Sequence, residues 1–152
     1  MMRGCCFNPQ PGYPSCYFPG ARVNITTVHM VQGCHLDVGF ANTSVNIVNL
    51  YFDTHFPNAV QVGRTLRVLN GTAKLKFTTQ SYLVSLYLDC PPGMGLHCPS
   101  ESAVSAFIEV SSNGSITWHA FPFNAELEVM DPALIQGAIQ MTHNLDAKYV
   151  TS

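Results

Sequence analysis

Residues 73–90 read AKLKFTTQSYLVSLYLDC. Ala73, Leu75 and Phe77 alternate with Lys74, Lys76 and Thr78, the two-residue period of a strand with one apolar face. From Gln80 the alternation gives way to QSYLVSLYLDC, a short helix candidate. A strand that feeds a helix is the repeating unit of α/β architectures.

The same order recurs on both sides. RVNITTVHMV (22–31) is rich in β-branched residues and reads as a strand. Asn42 and Thr43 offer N-caps, and Val45, Val48 and Phe52 follow at helical spacing until Pro57. A second helical stretch carries Ala59, Val62, Leu66 and Leu69 on one face and stops at Asn70-Gly71. Downstream, Pro91, Pro92, Gly93 and Gly95 make a loop, and Ser100 caps a helix through Ala103, Val104, Phe107 and Ile108 that ends near Gly114. SITWHAFPF (115–123) is the third strand candidate. Asp131 caps and Pro132 opens a last helix with Leu134, Ala138, Met141 and Leu145 on one face. Strand, helices, strand, helices, strand, helix predicts parallel strands covered by helices. Three such strands make a thin sheet with two unpaired edges.

The 152 residues amount to about one domain. With 47% hydrophobic and 11% charged residues there is ample material for a core and little to keep the chain unfolded. The net charge of −2, with no basic patch interleaved with aromatics, argues against nucleic acid as a partner. No run reaches the roughly 18 to 20 apolar residues of a membrane span. Residues 1–21 form an irregular lead-in rich in Cys, Pro and Gly, and residues 22–152 the domain proper. The lead-in lacks the apolar stretch of about 7 to 15 residues that a signal peptide needs. Cysteines and sequons point the other way, towards a secreted or lumenal protein. A disulfide between Cys90 and Cys98 would close a short loop, and Asn-x-Ser/Thr patterns begin at Asn24, Asn42, Asn70 and Asn113.

Two polar clusters follow strand candidates. In VHMVQGCHLDVGF (28–40), His35 and Asp37 stand two apart, so on an extended chain both side chains project from one face with Cα atoms about 6 to 7 Å apart. That suits one metal ion with bonds near 2.0–2.2 Å. The competing reading makes Asp37 a helix cap and His35 a donor to a backbone carbonyl. Cys34 is either a small packed residue or a thiol with a lowered pKa. In TWHAFPFNAELEVMD (117–131), Trp118 and His119 end a strand, and Asn124, Glu126, Glu128 and Asp131 follow. The carboxylates are either an acid/base set or helix-start charges. Trp118, Phe121 and Phe123 are either core or an apolar wall for a sugar ring.

Three blocks in this order, TTVHMVQGCHLDVGFANTS, FTTQSYLVSLYLDCP and SSNGSITWHAFPFNAELEVMDPALIQGAIQMTHNLD, resemble the start of the catalytic domain of glycoside hydrolase family 38, the α-mannosidases and related proteins. The resemblance covers about residues 22 to 148 and is nearest to a divergent branch marked by HLDVGF and WHAFPFN. It implies a seven-stranded β/α barrel-like domain, of which this chain would hold the first three βα units. It also implies retaining hydrolysis of α-mannosidic or related bonds with a zinc ion. His35 and Asp37 match two of the zinc ligands. Trp118, His119, Asn124 and Glu126 match the strand end beside the sugar pocket. Departures from the pattern are Gly33 where the family has a further His, Phe40 where Trp is common, and no Asp-Pro-Phe-Gly-type nucleophile stretch, so no catalytic residue is assigned. The expectation is an N-terminal piece, inactive alone, with a carbohydrate ligand and the rest of the barrel on a longer chain. The alternatives are a non-catalytic carbohydrate-binding pseudoenzyme and a small interaction module.

Overall fold

The computed structural model of the chain describes residues 36, 38–71 and 73–149. The first strand candidate, 22–31, lies outside them, as do His35 and Asp37.

The described residues begin with a long helical rod. Its first part, α1 (Ser44–Leu50), starts where Asn42 Oδ1 accepts from the Thr43 N–H at 2.8 Å and the Thr43 hydroxyl accepts from the Asn46 N–H at 3.4 Å. The rod does not stop at Pro57. A π-helical turn, Tyr51–His55, joins α1 to α2 (Phe56–Leu69), and the Phe56 N–H reaches five residues back to the Tyr51 carbonyl. Pro57 has no N–H, and its ring would press on the carbonyl four residues back. Widening the turn before it lets the rod continue. Asn70, in the left-handed conformation at φ 48°, ends the rod.

Beyond it lie β1 (Phe77–Thr79), α3 (Ser81–Asp89), α4 (Glu101–Ser112), β2 (Ile116–Trp118), a 3₁₀ turn (Leu127–Val129) and α5 (Pro132–Tyr149). Local chemistry explains the helix starts. Ser100 Oγ accepts from the Ala103 N–H at 3.2 Å, and Asp131 Oδ1 accepts from the Ala133 N–H at 2.8 Å. Strands β1 and β2 pair in parallel, Phe77 opposite Ile116 and Thr79 opposite Trp118. The His119 N–H continues the ladder to the Thr79 carbonyl at 2.9 Å.

The expected barrel opening of three βα units is not what forms. Helix accounts for 61% of the described residues, and the sheet among them is two strands of three residues each. The strand expected over 115–123 stops at Trp118, opposite Thr79, where its partner β1 ends and gives way to α3 at Ser81. Strands this short bury little. The core is built mostly from side chains of the π turn, α2, α3 and α4 instead. Phe56, with none of its surface exposed, packs its ring 5.1 Å from both Tyr87 and Phe107, and Phe52 meets Tyr87 at 5.0 Å. Helices α2 and α4 touch closely at Gly63, where an added Cβ would meet Val110 Cγ1 at 2.9 Å. At the surface Arg64 and Glu109 pair across the same two helices. Helix α3 is joined to α5 by a buried hydroxyl pair, Ser81 Oγ to Thr142 Oγ1, at 2.6 Å.

The 90–98 loop is held at three points. Cys90 and Cys98 form a disulfide. Buried Asn49 on α1 donates from Nδ2 to the Gly95 carbonyl at 3.1 Å and accepts at Oδ1 from the His97 N–H at 2.8 Å. Asp53, on the π turn, meets His97 Nδ1 at 2.7 Å. No helix among the described residues is long and apolar enough to cross a membrane.

Candidate functional site

Parallel strands direct all their C-terminal ends to one side, and the segments that follow them enclose whatever lies there. Here β1 runs into Gln80 and β2 into His119. The Tyr82 N–H holds the Pro122 carbonyl at 3.2 Å, which brings the 119–127 segment over the start of α3. Between them is a cavity of about 320 Å³ lined by Gln80, His119, Phe121, Phe123, Asn124, Ala125 and Leu127.

Its chemistry is neutral and two-sided. Phe121 and Phe123 meet edge to face at 5.2 Å, and Tyr82 supports Phe123 from behind at 6.5 Å. This gives a firm apolar wall. Gln80, His119 and Asn124 supply amide and imidazole groups that both donate and accept. No carboxylate, lysine or arginine lines the cavity among the described residues. Gln80 is the decisive member. It is 4% exposed, and its Oε1 has no hydrogen-bond partner among the described residues; neither has Oγ1 of buried Thr79 beside it. Buried polar atoms nearly always have partners, and leaving one unmet costs about 1–3 kcal/mol. Of the two, Gln80 lines the cavity, and its unmet oxygen marks a place where a ligand's own polar group would be welcome.

Comparison of the chain with known protein families, curated proteins and solved structures found no match.

Of the residues singled out in the sequence, His119 and Asn124 line this cavity together. Trp118 does not. Its indole Nε1–H donates to Asp146 on α5 at 2.7 Å, and it borders a separate cleft of about 250 Å³ with Ile116, Thr117 and Asp146. Glu126 lies between two lining residues, but its own side chain is exposed and outside the lining. His35 and Asp37, the proposed zinc ligands, lie outside the described residues. Among the described residues no group of three or more His, Cys, Asp or Glu side chains gathers to hold a metal. Sequence reasoning missed Gln80. Its one signal was position, directly after the alternating stretch 73–79.

A larger cleft of about 370 Å³ opens where α2 meets α3 and α4, bordered by Pro57, Val60, Arg64, Tyr87 and Ala103. Arg64, its one charged lining group among the described residues, is already paired with Glu109. It offers an apolar surface but no buried polar atom without a partner among the described residues, so the strand-end cavity is the stronger candidate.

Proposed function

We propose that this protein binds a neutral sugar of the mannose type in the cavity at the ends of β1 and β2. The observation that carries the proposal is the buried Oε1 of Gln80, without a partner among the described residues, on a residue that lines a neutral, aromatic-walled cavity. A pyranose presents an apolar C–H face and a rim of hydroxyls, each able to donate and accept. Phe121 and Phe123 suit the face; Gln80, His119 and Asn124 suit the rim. The volume lies at the low end for small-molecule sites, room for a single ring. The resemblance to glycoside hydrolase family 38 supports the same ligand class by an independent route.

Binding is favoured over cleavage. Retaining hydrolysis needs two carboxylates about 5–5.5 Å apart, and the lining contains none among the described residues. The zinc ion that the resemblance implies belongs to the proposal through His35 and Asp37. An imidazole and a carboxylate are suitable donors, and the ion would draw sugar hydroxyls towards it.

Titration with methyl α-mannoside, followed by amide NMR, tests the reading. Shifts are expected to cluster at Gln80, His119 and Phe123. Gln80→Ala should weaken binding from about twofold to about tenfold, the loss of one hydrogen bond of ~0.5–1.5 kcal/mol. A spectrum unmoved by mannoside and by other neutral glycosides would sink the proposal. Zinc content after dialysis, wild type against His35→Ala, tests the metal separately; equal content in both removes His35 as a ligand.

A further inference from the structure

Three sequons fall within or overlap the described residues, and their asparagines, Asn42, Asn70 and Asn113, are all exposed. Asn113 is the clearest. It follows the last turn of α4, and its Oδ1 accepts from the Ser115 N–H at 3.2 Å, which holds Asn113-Gly114-Ser115 as a tight outward turn. Gly114 takes φ 74°, a conformation in which glycine is unstrained. Beside it runs an open groove of about 290 Å³ lined by Gly63, Leu66, Arg67, Lys74 and Leu75. Asn70 caps α2 next to Val68 and Leu69, which are 85% and 69% exposed.

The second, independent observation is the Cys90–Cys98 disulfide. Such bonds persist in oxidising compartments, the same compartments in which asparagines in sequons are glycosylated.

We propose that Asn113 is an acceptor for an N-linked glycan, with Asn70 a second acceptor on the same edge. The donor is an oligosaccharide carried on a lipid diphosphate. Nδ2 of the asparagine forms a bond to C1 of the first sugar, the bond from C1 to the diphosphate oxygen breaks, and its electron pair leaves with the lipid diphosphate. The Nδ2 proton passes to a base of the transferase. The sugar nearest Asn113 then has the Leu66–Lys74 groove beside it, and the one on Asn70 shields Val68 and Leu69. Both acceptors precede their strands, Asn70 before β1 and Asn113 before β2. The candidate sugar cavity follows the strands, so the glycans leave it open. This inference does not depend on the ligand proposed for that cavity.

The test uses the full chain purified from eukaryotic cells that secrete or retain it in their lumenal compartments. Digestion with an amidase that releases N-glycans converts each occupied asparagine to aspartate, read by peptide mass spectrometry. Aspartate at 113 is the expected result, with a matching gain in gel mobility. Ser115→Ala keeps the Cβ and the backbone N–H of the turn; it should abolish modification at 113, while Ser115→Thr keeps it. Unmodified Asn113 in protein whose Cys90 and Cys98 are oxidised overturns the proposal.

Discussion

Ser81 and Thr142 show how much a single buried hydroxyl depends on its partner. Each is the other's hydrogen-bond partner in a place closed to water. Ser81→Ala leaves the Thr142 hydroxyl with nothing to bond, so it should lower unfolding stability by about 1–3 kcal/mol. Combining it with Thr142→Val removes both polar groups, and the double variant should lose less than the sum of the two singles. Denaturant unfolding of the four proteins measures the difference; strict additivity would show that the pair does not interact. Gln80 Oε1, by contrast, has no partner among the described residues, which is why it points to function while Ser81 points to stability. Neither role can be read from residue type. Both residues sit in one polar stretch, TTQS, and only the fold decides which of them meets another side chain.

At the scale of elements, local chemistry was legible and tertiary tolerance was not. Thr43, Ser100 and Asp131 start helices because their side-chain oxygens accept free N–H groups, and Asn70 ends one because it accepts a positive φ; each of these reads directly from sequence. Pro57 reads as a stop by the same local logic, yet the rod passes through it. The reason is non-local: Phe52, within the turn, and Phe56, just after it, both enter the aromatic core, and that burial holds the wider turn in place. The 90–98 loop makes a similar point. The disulfide should contribute about 2–3 kcal/mol by closing a short loop. Asn49, which satisfies two backbone groups of that loop, should contribute about as much by itself. Asn49→Ala is expected to destabilise by about 1–3 kcal/mol and to hasten reduction of Cys90–Cys98 by mild thiol. An unchanged reduction rate would mean that the disulfide alone shapes the loop.

For the whole molecule, alternating strand and helix signals suggested a sheet clothed by helices. The two described strands are present and parallel, but sheet width is a non-local property that no seven-residue pattern carries. Among the described residues, large aromatic and aliphatic side chains on helix faces build a core around Phe56 with only two short strands beside it. That core has a consequence for pH. Burial raises the pKa of Tyr87 above its ordinary value of about 10. The unfolded chain therefore releases this proton more readily than the folded one. Its contribution is complete below about pH 10 and is lost as pH rises through the folded value. Tyr87→Phe should move the alkaline unfolding midpoint upward, followed by far-ultraviolet circular dichroism; an unmoved midpoint would assign alkaline unfolding to other groups. The π turn has a consequence of another kind. It is one residue more than an α-helix needs to cover the same path. If the same residues closed as an ordinary α-helix, everything before the turn would swing by about 100° around the rod axis. Val48 and Asn49 would leave the face they now occupy, and the disulfide loop would lose its anchor. In this stretch the count of residues is as much a part of the specification as their identity.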